Sequence, residues 1–364
     1  MELRCERDVL VEALATAGRA TASRGGSLPV LGGVRAELTG DQLFLTGTDL
    51  DLTIADAVTV AGIEDGVAVL PGRLTVDIVR ALEPGAVHLT TSVEEARIAS
   101  GRSQFSVRLL PADDFPRLAE AATEEVTLDA AALAEALRQV VRAASHDDAR
   151  PILTGVLMGA EGDGLRLGAT DSYRLALRDV RGASVLSEGQ AVLVPSKALG
   201  ELTRLLSGSE TVTLRLGQRD ATFEVGETRL TTRLIEGEFP NYRQLIAGTQ
   251  ANQLTIGREP LLDALRRVRL LARESTPVRL ALRPDGVELS AVTQDVGQAQ
   301  EDLDAKYEGT ELTIAFNPEY LADGIDALAG DEVSFEIIDA LKRVVLRSPE
   351  SQDYLYLLMP VRVS

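Results

Sequence analysis

Hydrophobic and polar positions recur along this chain in one order, three times over. Each copy opens with leucines four residues apart, a spacing typical of one helix face. A threonine followed by a polar residue, which we call the Thr-polar turn, then marks the end of a strand. After it, a short apolar strand leads into a second helix, and a late strand ends in two apolar residues. The leucine pairs and turns are Leu10/Leu14, Leu133/Leu137, Leu261/Leu265, Thr48-Asp49, Thr170-Asp171 and Thr293-Gln294. Since the matches lie 122 to 128 residues apart, the pattern predicts one folding unit repeated three times.

Each repeat is predicted to contain two helices and six to eight strands. The six predicted helices are Arg7–Arg19, Gly72–Leu82, Asp129–Ala143, Ser196–Leu206, Arg258–Arg273 and Asn317–Leu328. Within a repeat a strand leads into a helix and further strands, and the same order follows again, which gives two β-α-β-β-β motifs. We therefore expect an α+β fold with helices on one face and sheets on the other. Polar connecting stretches set the expected domains at 1–124, 125–251 and 252–364.

The charge of the chain is unevenly distributed. Its 37 basic and 56 acidic residues give a formal net charge of −19, which argues against binding to nucleic acid. The predicted helices together are close to neutral, however, so nearly all of the negative charge lies on strands and loops. The helix surface could therefore still meet DNA, although the last helix is acidic, with Glu319, Asp323 and Asp326.

Cellular location and cofactor use follow from what the sequence lacks. Cys5 is the only cysteine, no apolar run approaches the roughly 18 residues that span a bilayer, and no signal peptide is recognisable at the N-terminus. We expect a cytoplasmic protein. The two histidines, His88 and His146, have no metal-ligand spacing, and neither a phosphate-binding loop nor a nucleophile elbow is present. The sequence predicts a binding protein with no enzymatic activity, metal or cofactor.

Paired aspartates leave one catalytic alternative open. Asp49/Asp51, Asp113/Asp114 and Asp147/Asp148 could serve a hydrolase, although turns and helix caps use such residues more often. Loss of an activity on changing Asp49 or Asp171 would support the hydrolase.

Three open repeats in tandem have unlike ends, which can join head to tail. Two chains with about 60° of rotation per repeat would form a closed ring of six repeats. Such a ring, with helices inside, could hold duplex DNA through its phosphates without reading its sequence.

Seven short segments resemble one protein family along nearly the whole chain. They are Thr48-Asp49, Pro71-Gly72-Arg73, Ser103–Ser106, Ala169–Leu175, Val194–Lys197, Glu238–Arg243 and Tyr354–Arg362. In these segments the chain resembles the bacterial DNA polymerase III beta subunit, the replication sliding clamp, and most closely those of high-GC Gram-positive bacteria. The resemblance implies a homodimeric ring that encircles double-stranded DNA and tethers the replicative polymerase at the nucleoid.

The resemblance also implies a pocket for short peptides between the second and third repeats. Its expected partners are the polymerase alpha subunit, the clamp-loader delta subunit, other polymerases, ligase and mismatch-repair proteins. The implied pocket residues are Leu153, Thr170, Tyr173, Arg174, Leu175, Pro240, Gln244, Leu245, Asn317, Tyr320, Leu357, Leu358, Met359, Pro360, Val361 and Arg362. Gln244 stands where some members carry arginine. A specialised or resistant clamp paralogue that acts as a peptide-binding scaffold is the alternative function.

DNA contact and dimer closure are implied in the same way. DNA-binding residues would be Arg24, Arg73, Arg80 and Lys197, with Arg138, Arg142, Arg204 and Arg266 as weaker candidates. The loop His146–Ile152 departs from the family pattern at Asp147 and Pro151, where other members often place DNA-contacting residues, so no DNA role is assigned to it. Dimer closure would use Phe105 and Val107 against Leu270 and Leu271.

Overall fold

The computed structural model describes residues 1–22, 28–118, 122–182, 186, 188–246, 251–272 and 276–362. These residues form seven α-helices and 26 strands, so the predicted α+β class is confirmed. Six times, a strand leads into a helix and then into three more strands, as the two-motif repeat predicts. Two additional short strands, Ala61–Glu64 and Ala305–Glu308, give the first and third repeats nine strands each instead of the predicted six to eight. No helix in this described part of the chain is long and apolar enough to cross a membrane.

The elements follow the three repeats. The first repeat contains β1 (Glu2–Glu6), α1 (Arg7–Gly18), β2 (Gly33–Thr39), β3 (Gln42–Thr48), β4 (Leu52–Thr59), β5 (Ala61–Glu64), β6 (Gly66–Pro71), α2 (Gly72–Ala81), β7 (Ala86–Thr91), β8 (Glu95–Ser100) and β9 (Ser103–Arg108). The second contains β10 (Glu125–Asp129), α3 (Ala130–Val140), β11 (Gly155–Glu161), β12 (Gly164–Thr170), β13 (Arg174–Val180), β14 (Ala191–Pro195), α4 (Ser196–Leu205), β15 (Thr211–Leu216), β16 (Asp220–Val225), β17 (Thr228–Arg233) and α5 (Arg243–Ile246). The third contains β18 (Asn252–Gly257), α6 (Arg258–Val268), β19 (Val278–Arg283), β20 (Gly286–Thr293), β21 (Gly297–Leu303), β22 (Ala305–Glu308), β23 (Leu312–Phe316), α7 (Pro318–Asp326), β24 (Glu332–Ile337), β25 (Val344–Arg347) and β26 (Tyr354–Leu358).

The predicted helices begin within one residue of the observed ones. The main difference is α6, which ends at Val268 although the leucine pattern continues; Arg273, its predicted end, lies outside the described residues. The single-turn helix α5 was not predicted, because four residues are too few to show a helical period.

The chain divides into two compact units, Met1–Ala131 with Lys197–Leu234 and Ala132–Ser196 with Ile235–Ser364. The first unit contains a five-stranded sheet, β5-β1-β7-β8-β9, and an eight-stranded sheet, β10-β15-β16-β17-β4-β3-β2-β6. The second contains a nine-stranded sheet, β14-β11-β12-β13-β26-β25-β24-β18-β22, and a four-stranded sheet, β21-β20-β19-β23. Each large sheet therefore joins strands of two neighbouring repeats through an antiparallel pair, β4 with β17 in one unit and β13 with β26 in the other.

Helix packing against the sheets explains the leucine stripes. Leu10 and Leu14 of α1 are each only 1% exposed and belong to the core of the first unit. A Cβ atom at Gly47 in β3 would lie 2.0 Å from the carbonyl oxygen of Ala17, so only glycine lets α1 approach β3 this closely.

Backbone strain marks the same point in all three repeats. Among the described residues other than glycine, a positive φ occurs at Leu50 (82°), Ser172 (84°) and Asp295 (64°). Each lies two positions after the threonine of the repeated Thr-polar turn, with spacings that match the sequence repeat. Since side chains rarely adopt this conformation, its recurrence supports descent of the three repeats from one unit.

Candidate functional site

Where β13 and β26 pair, one face carries four leucines, all of them buried. The register sets Leu175 opposite Leu357 and Leu177 opposite Leu355. Directly opposite residues share a face of the sheet, so these four leucines form one surface. Around them lies a set of side chains that we call the ladder cluster: Leu157, Leu175, Leu177, Leu193, Tyr242, Val345, Leu355 and Leu357, with the partly buried Ile152, Ile235, Phe239 and Ile246.

The segment after β17 covers one side of the ladder cluster. Phe239 and Tyr242 pack edge to face, with ring centroids 6.0 Å apart and planes at 71°. The following turn, α5, adds Ile246 to the cluster and leaves Leu245 43% exposed beside it. This side of the cluster therefore has apolar surface that solvent, or a ligand, can reach.

The other face of the same strand pair is aromatic and charged. Alternation along β26 directs Tyr354 and Tyr356 away from the leucines. The Tyr356 hydroxyl donates to the Tyr320 carbonyl of α7 at 2.8 Å, and the Tyr354 hydroxyl donates to the Gln139 carbonyl of α3 at 3.4 Å. Burial raises the pKa of both tyrosines, so the two hydroxyls stay protonated donors.

Glycine allows α7 to lie flat on this face. A Cβ atom at Gly324 would lie 2.4 Å from the ring of Tyr356. Any larger residue would displace the helix or the ring, because real side chains do not approach so closely.

Arg174 is buried beneath the site. Its side chain is only 8% exposed and donates to Asp171 Oδ2 at 2.9 Å, to Asp323 Oδ2 at 2.6 Å and to the Arg142 carbonyl at 2.5 Å. Its guanidinium carbon lies 4.1 Å from the ring centroid of Tyr320. Burial lowers the pKa of Arg174, but Tyr356 and Asp323 outweigh that effect and raise it, so the group remains charged.

The turn before β13 is held by its own polar side chains. Asp171 Oδ1 accepts from the backbone N–H groups of Tyr173 and Arg174, and the Thr170 hydroxyl donates to the Arg174 carbonyl at 2.6 Å. These bonds keep Ser172 at positive φ and leave Tyr173 60% exposed at the margin of the site.

The loop His146–Ile152 is tied to this turn. Asp147 accepts from Arg150 Nε at 2.8 Å, and Arg150 donates to the Ser172 hydroxyl at 3.2 Å. The bond from Arg150 lowers the pKa of Asp147. A cleft of about 710 Å³ opens here, and its lining includes His146, Tyr173, Glu319 and Tyr320.

The implied pocket residues fall into three groups. Leu175 and Leu357 belong to the ladder cluster. An exposed margin consists of Tyr173, Pro240, Gln244, Leu245, Met359, Val361 and Arg362. The remaining residues are buried or half-buried: Leu153, Thr170, Arg174, Asn317, Tyr320, Leu358 and Pro360.

One of these residues, Asn317, has a local structural role, and another, Leu358, is fully buried. The Asn317 side chain caps α7 by accepting from the N–H groups of Glu319 and Tyr320 at 2.9 and 3.2 Å. Leu358 has no exposed surface. Asn317 therefore fixes the start of the helix that carries Tyr320.

Most of the ladder cluster was missed from the sequence. The members not foreseen are Ile152, Leu157, Leu177, Leu193, Ile235, Phe239, Tyr242, Ile246, Val345 and Leu355. A signal was present for some of them, because alternation along β13 and β26 puts Leu177 and Leu355 on the same face as Leu175 and Leu357.

The arginines and lysine proposed for DNA all have acidic neighbours where the structure describes them. Arg73 and Arg80 flank Asp77 of α2 at 3.9 and 3.6 Å, and Lys197 lies 3.1 Å from Asp49. Arg73 and Lys197 remain 87% and 72% exposed, so both can still reach a ligand. Arg24 lies outside the described residues.

Among the weaker DNA candidates, Arg138 and Arg142 are engaged by the acidic helix α7. Arg142 contacts Asp326 at 2.8 Å and Asp323 at 3.8 Å, and Arg138 donates to the Asp326 carbonyl at 3.4 Å. Asp323 and Asp326 of α7 thus pair with Arg138 of α3 and with Arg142 just after α3, which accounts for acidic residues that fit poorly with a DNA-facing helix. Arg204 and Arg266 pair with Glu201 and Asp263 of their own helices, each at 2.7 Å.

The residues implied for dimer closure lie at or near two sheet edges. Phe105 of β9 is 39% exposed and Leu270, after α6, is 81% exposed. Leu271 is half-buried, and Val107 belongs to the core of the first unit. In the described residues β9 pairs only with β8 and β21 only with β20, so each strand ends its sheet.

Metal coordination finds no support in the described residues, where no group of three or more His, Cys, Asp or Glu side chains could hold an ion.

Three family models match successive parts of the chain. The N-terminal, central and C-terminal domains of the DNA polymerase III beta subunit match residues 1–119, 127–241 and 243–362. Together they cover almost the entire sequence.

Individual relatives match over their full length. The beta sliding clamps of Streptomyces coelicolor and Synechococcus elongatus are 35% and 34% identical, with 100% of each chain covered. Among solved structures, the Bartonella birtlesii sliding clamp bound to griselimycin has a TM-score of 0.94 at 31% identity, with both chains covered completely. The C. crescentus beta sliding clamp has a TM-score of 0.93 at 30% identity and covers 100% of this chain and 99% of its own. On these matches, together with the six repeated motifs, this chain belongs to the DNA polymerase III beta subunit family, the bacterial sliding clamps.

Proposed function

We propose that two copies of this chain close around duplex DNA and tether the replicative polymerase through a peptide bound over the ladder cluster. As a member of its family the protein is a processivity factor, a non-catalytic subunit of DNA polymerase III. The observation that carries the tethering site is the apolar face of the β13–β26 pair, where four leucines meet an exposed margin.

Peptide recognition follows from the composition of the site. Extended peptides gain affinity when their apolar side chains enter preformed apolar pockets and a few polar groups fix their backbone. The ladder cluster supplies the apolar surface, and Tyr173, Leu245 and Met359 supply accessible contacts at its margin. The griselimycin-bound relative supports a ligand site in this fold. We assign the polymerase alpha subunit, the clamp-loader delta subunit, other polymerases, ligase and mismatch-repair proteins to this one site.

DNA contact is proposed for Arg73, Arg80 and Lys197, and for Arg24 beyond the described residues. Exposed cations bind phosphates without reading bases, which permits sliding. The acidic neighbours Asp77 and Asp49 weaken each contact, and a ring that must slide gains from weak contacts. This binding is expected to be sensitive to salt.

Dimer closure is proposed to pair the free edge of β9 with the free edge of β21 from the second copy. Edge strands present unpaired backbone groups that readily accept a further strand. Phe105 and Leu270 would cover each other, since large exposed apolar side chains of this kind are typical of interfaces. Head-to-tail closure of this type yields a ring. We place the three domains at 1–124, 125–251 and 252–364, and the working protein at the nucleoid in the cytoplasm.

Topology provides the test. After loading by a clamp loader, the protein is expected to stay on nicked circular DNA and to leave when the circle is cut, because a ring can slide off an end. Light scattering is expected to give a mass near twice 38.9 kDa. Equal retention on circular and linear DNA would refute the ring.

A further inference from the structure

Asp323 links α7 to the margin of the peptide site, although it lies outside every implied pocket set. Its Oδ2 accepts from Arg174 Nη1 at 2.6 Å, and its Oδ1 lies 3.8 Å from Arg142 Nη1. Arg174 in turn holds Asp171 at 2.9 Å and donates to the Arg142 carbonyl. One buried guanidinium therefore joins α7, the end of α3 and the turn that precedes β13.

Tyr320 is held from three directions. The Arg174 guanidinium lies against one face of its ring, the Tyr356 hydroxyl binds its carbonyl, and the Asn317 side chain accepts from its N–H. The cation fixes the ring and the two hydrogen bonds fix the backbone of Tyr320. A side chain held in this way loses little conformational entropy when a ligand packs against it.

Tyr173 is held through the same arginine. Asp171 accepts from the Tyr173 N–H with Oδ1 while its Oδ2 accepts from Arg174. If Arg174 moved, Asp171 would lose its charge partner and the turn would lose its support for Ser172 at positive φ.

Direct contact between Arg174 and a peptide is difficult in this arrangement. Only 8% of its side chain is exposed, and its donors point to Asp171, Asp323 and the Arg142 carbonyl. If the buried guanidinium moved away from these partners, the carboxylates of Asp171 and Asp323 would lose the cation that pairs with them.

We propose that Asp323 and Arg174 are positioning residues of the peptide site, which act by holding Tyr320 and the Tyr173 turn in their binding positions. The proposal rests on the proposed function, because it assigns these residues a role in the same peptide site. It differs from the implied assignment in which Arg174 touches the peptide, and it adds Asp323.

The test measures binding of a fluorescein-labelled peptide that carries the clamp-binding segment of a bacterial polymerase alpha subunit. Asp323→Asn keeps the shape of the side chain and removes its charge, so peptide affinity is expected to fall about tenfold. Arg174→Lys is expected to cause a similar loss, since lysine cannot hold Asp171 and Asp323 at once. Asp326→Asn is the matched control on the same helix; it contacts Arg142 and Arg138, and affinity is expected to change less than about twofold.

A double-mutant cycle separates positioning from a general loss of structure. In a Tyr320→Leu background, Asp323→Asn is expected to have a clearly smaller further effect, because only the Tyr173 turn then remains for it to hold. A full tenfold loss in that background, or wild-type affinity of Asp323→Asn alone, would overturn the positioning role and leave the peptide site itself intact. A wild-type protein that binds no such peptide would overturn both proposals.

Discussion

Two strand pairs in this molecule have a similar backbone conformation but differ in the polarity of their side chains. β4 pairs with β17 in the first compact unit, and β13 pairs with β26 in the second. The turns that precede β4 and β13 both hold a residue other than glycine at positive φ, Leu50 and Ser172, within two degrees of each other. The backbone of the two junctions therefore does not explain why only one carries the ladder cluster.

Side-chain polarity explains the difference. On one face the first pair sets Thr53 opposite Thr231 and Ala55 opposite Arg229, where the second pair sets Leu175 opposite Leu357 and Leu177 opposite Leu355. On the opposite face the first pair sets Leu52 opposite Thr232 and Ile54 opposite Leu230, and the second pair sets Arg174 opposite Leu358 and Ala176 opposite Tyr356. The two junctions therefore differ in side-chain polarity, and the proposed peptide site lies at the junction whose opposed pairs are leucines.

The largest expected effect comes from giving the second pair the side chains of the first. Leu175→Thr with Leu357→Thr buries two hydroxyls and removes apolar area from the ladder cluster. We expect peptide affinity to fall more than about a hundredfold and the free energy of unfolding to drop by about 2–4 kcal/mol. Fluorescence anisotropy and denaturant titration measure the two quantities. Thr231→Val in the first pair is the control, with unchanged peptide affinity; wild-type affinity in the double threonine variant would contradict the comparison.

The helices of the two motifs that end in β17 and β26, α4 and α7, each contain one glycine. Alanine at Gly324 of α7 would place Cβ against the Tyr356 ring, so the helix must shift, and we expect a loss of about 2–3 kcal/mol in unfolding free energy. At Gly200 of α4 nothing lies within 4 Å of a new Cβ. Gly200→Ala is therefore expected to stabilise the protein by about 0.5–1 kcal/mol. Thermal unfolding of both variants decides the matter, and a neutral Gly324→Ala would contradict the packing of α7 on Tyr356.

Ion pairs at the two junctions also differ in burial. Lys197 and Asp49 form an exposed pair, unlike Arg174 and Asp323, so Lys197→Ala is expected to change stability by less than about 0.5 kcal/mol. The substitution should weaken DNA binding instead. We expect the affinity for DNA to fall about two- to fivefold at low salt, and the slope of log affinity against log salt concentration to decrease in magnitude by about 1. Lys306→Ala, which removes a similarly exposed pair with Glu308, serves as the control. Equal DNA binding by both variants would remove Lys197 from the proposed DNA surface.

The smallest effect concerns a half-buried carboxylate, Asp56 of β4, which faces the start of β17. Burial raises the pKa of Asp56, while the Thr228 hydroxyl that donates to it at 2.8 Å partly offsets the shift. A raised pKa in the folded state means that the stability contributed by Asp56 is fully present below its unfolded value, about 3.9, and is lost as pH rises through the folded value. The stability of Asp56→Asn relative to the wild type should therefore increase as pH rises above about 4. Parallel stability curves for the two proteins between pH 3 and 7 would contradict the assignment.

Local patterns predicted much of the fold. The leucine spacing of Leu10/Leu14 located the helices within a few residues because burial of one helix face leaves a periodic signal. The Thr-polar turns marked the three positions of positive φ without revealing the strain itself. The sequence alone predicts that Asp77 pairs with Arg73 and Arg80, since residues three and four positions apart on a helix are neighbours.

The candidate site depended on contacts that no local pattern contains. Asp323 meets Arg174 across 149 positions, and Arg142 meets Asp326 across 184. From sequence the acidic residues of α7 conflicted with a DNA-facing helix, and only the fold shows that Asp323 and Asp326 pair with Arg138 of α3 and Arg142 after it. Likewise, alternation puts Arg174 on the face of β13 opposite to Leu175 but does not reveal that α7 covers that face, so the burial of Arg174 could not be predicted.

Primer extension on a singly primed circular template tests the central claim most directly. With clamp loader and polymerase present, the account predicts long products with the wild-type protein and short, distributive products with Leu175→Thr/Leu357→Thr, even though that variant is still retained on the circle. Products of equal length with both proteins would contradict the claim that this clamp holds its polymerase through the apolar face of β13 and β26.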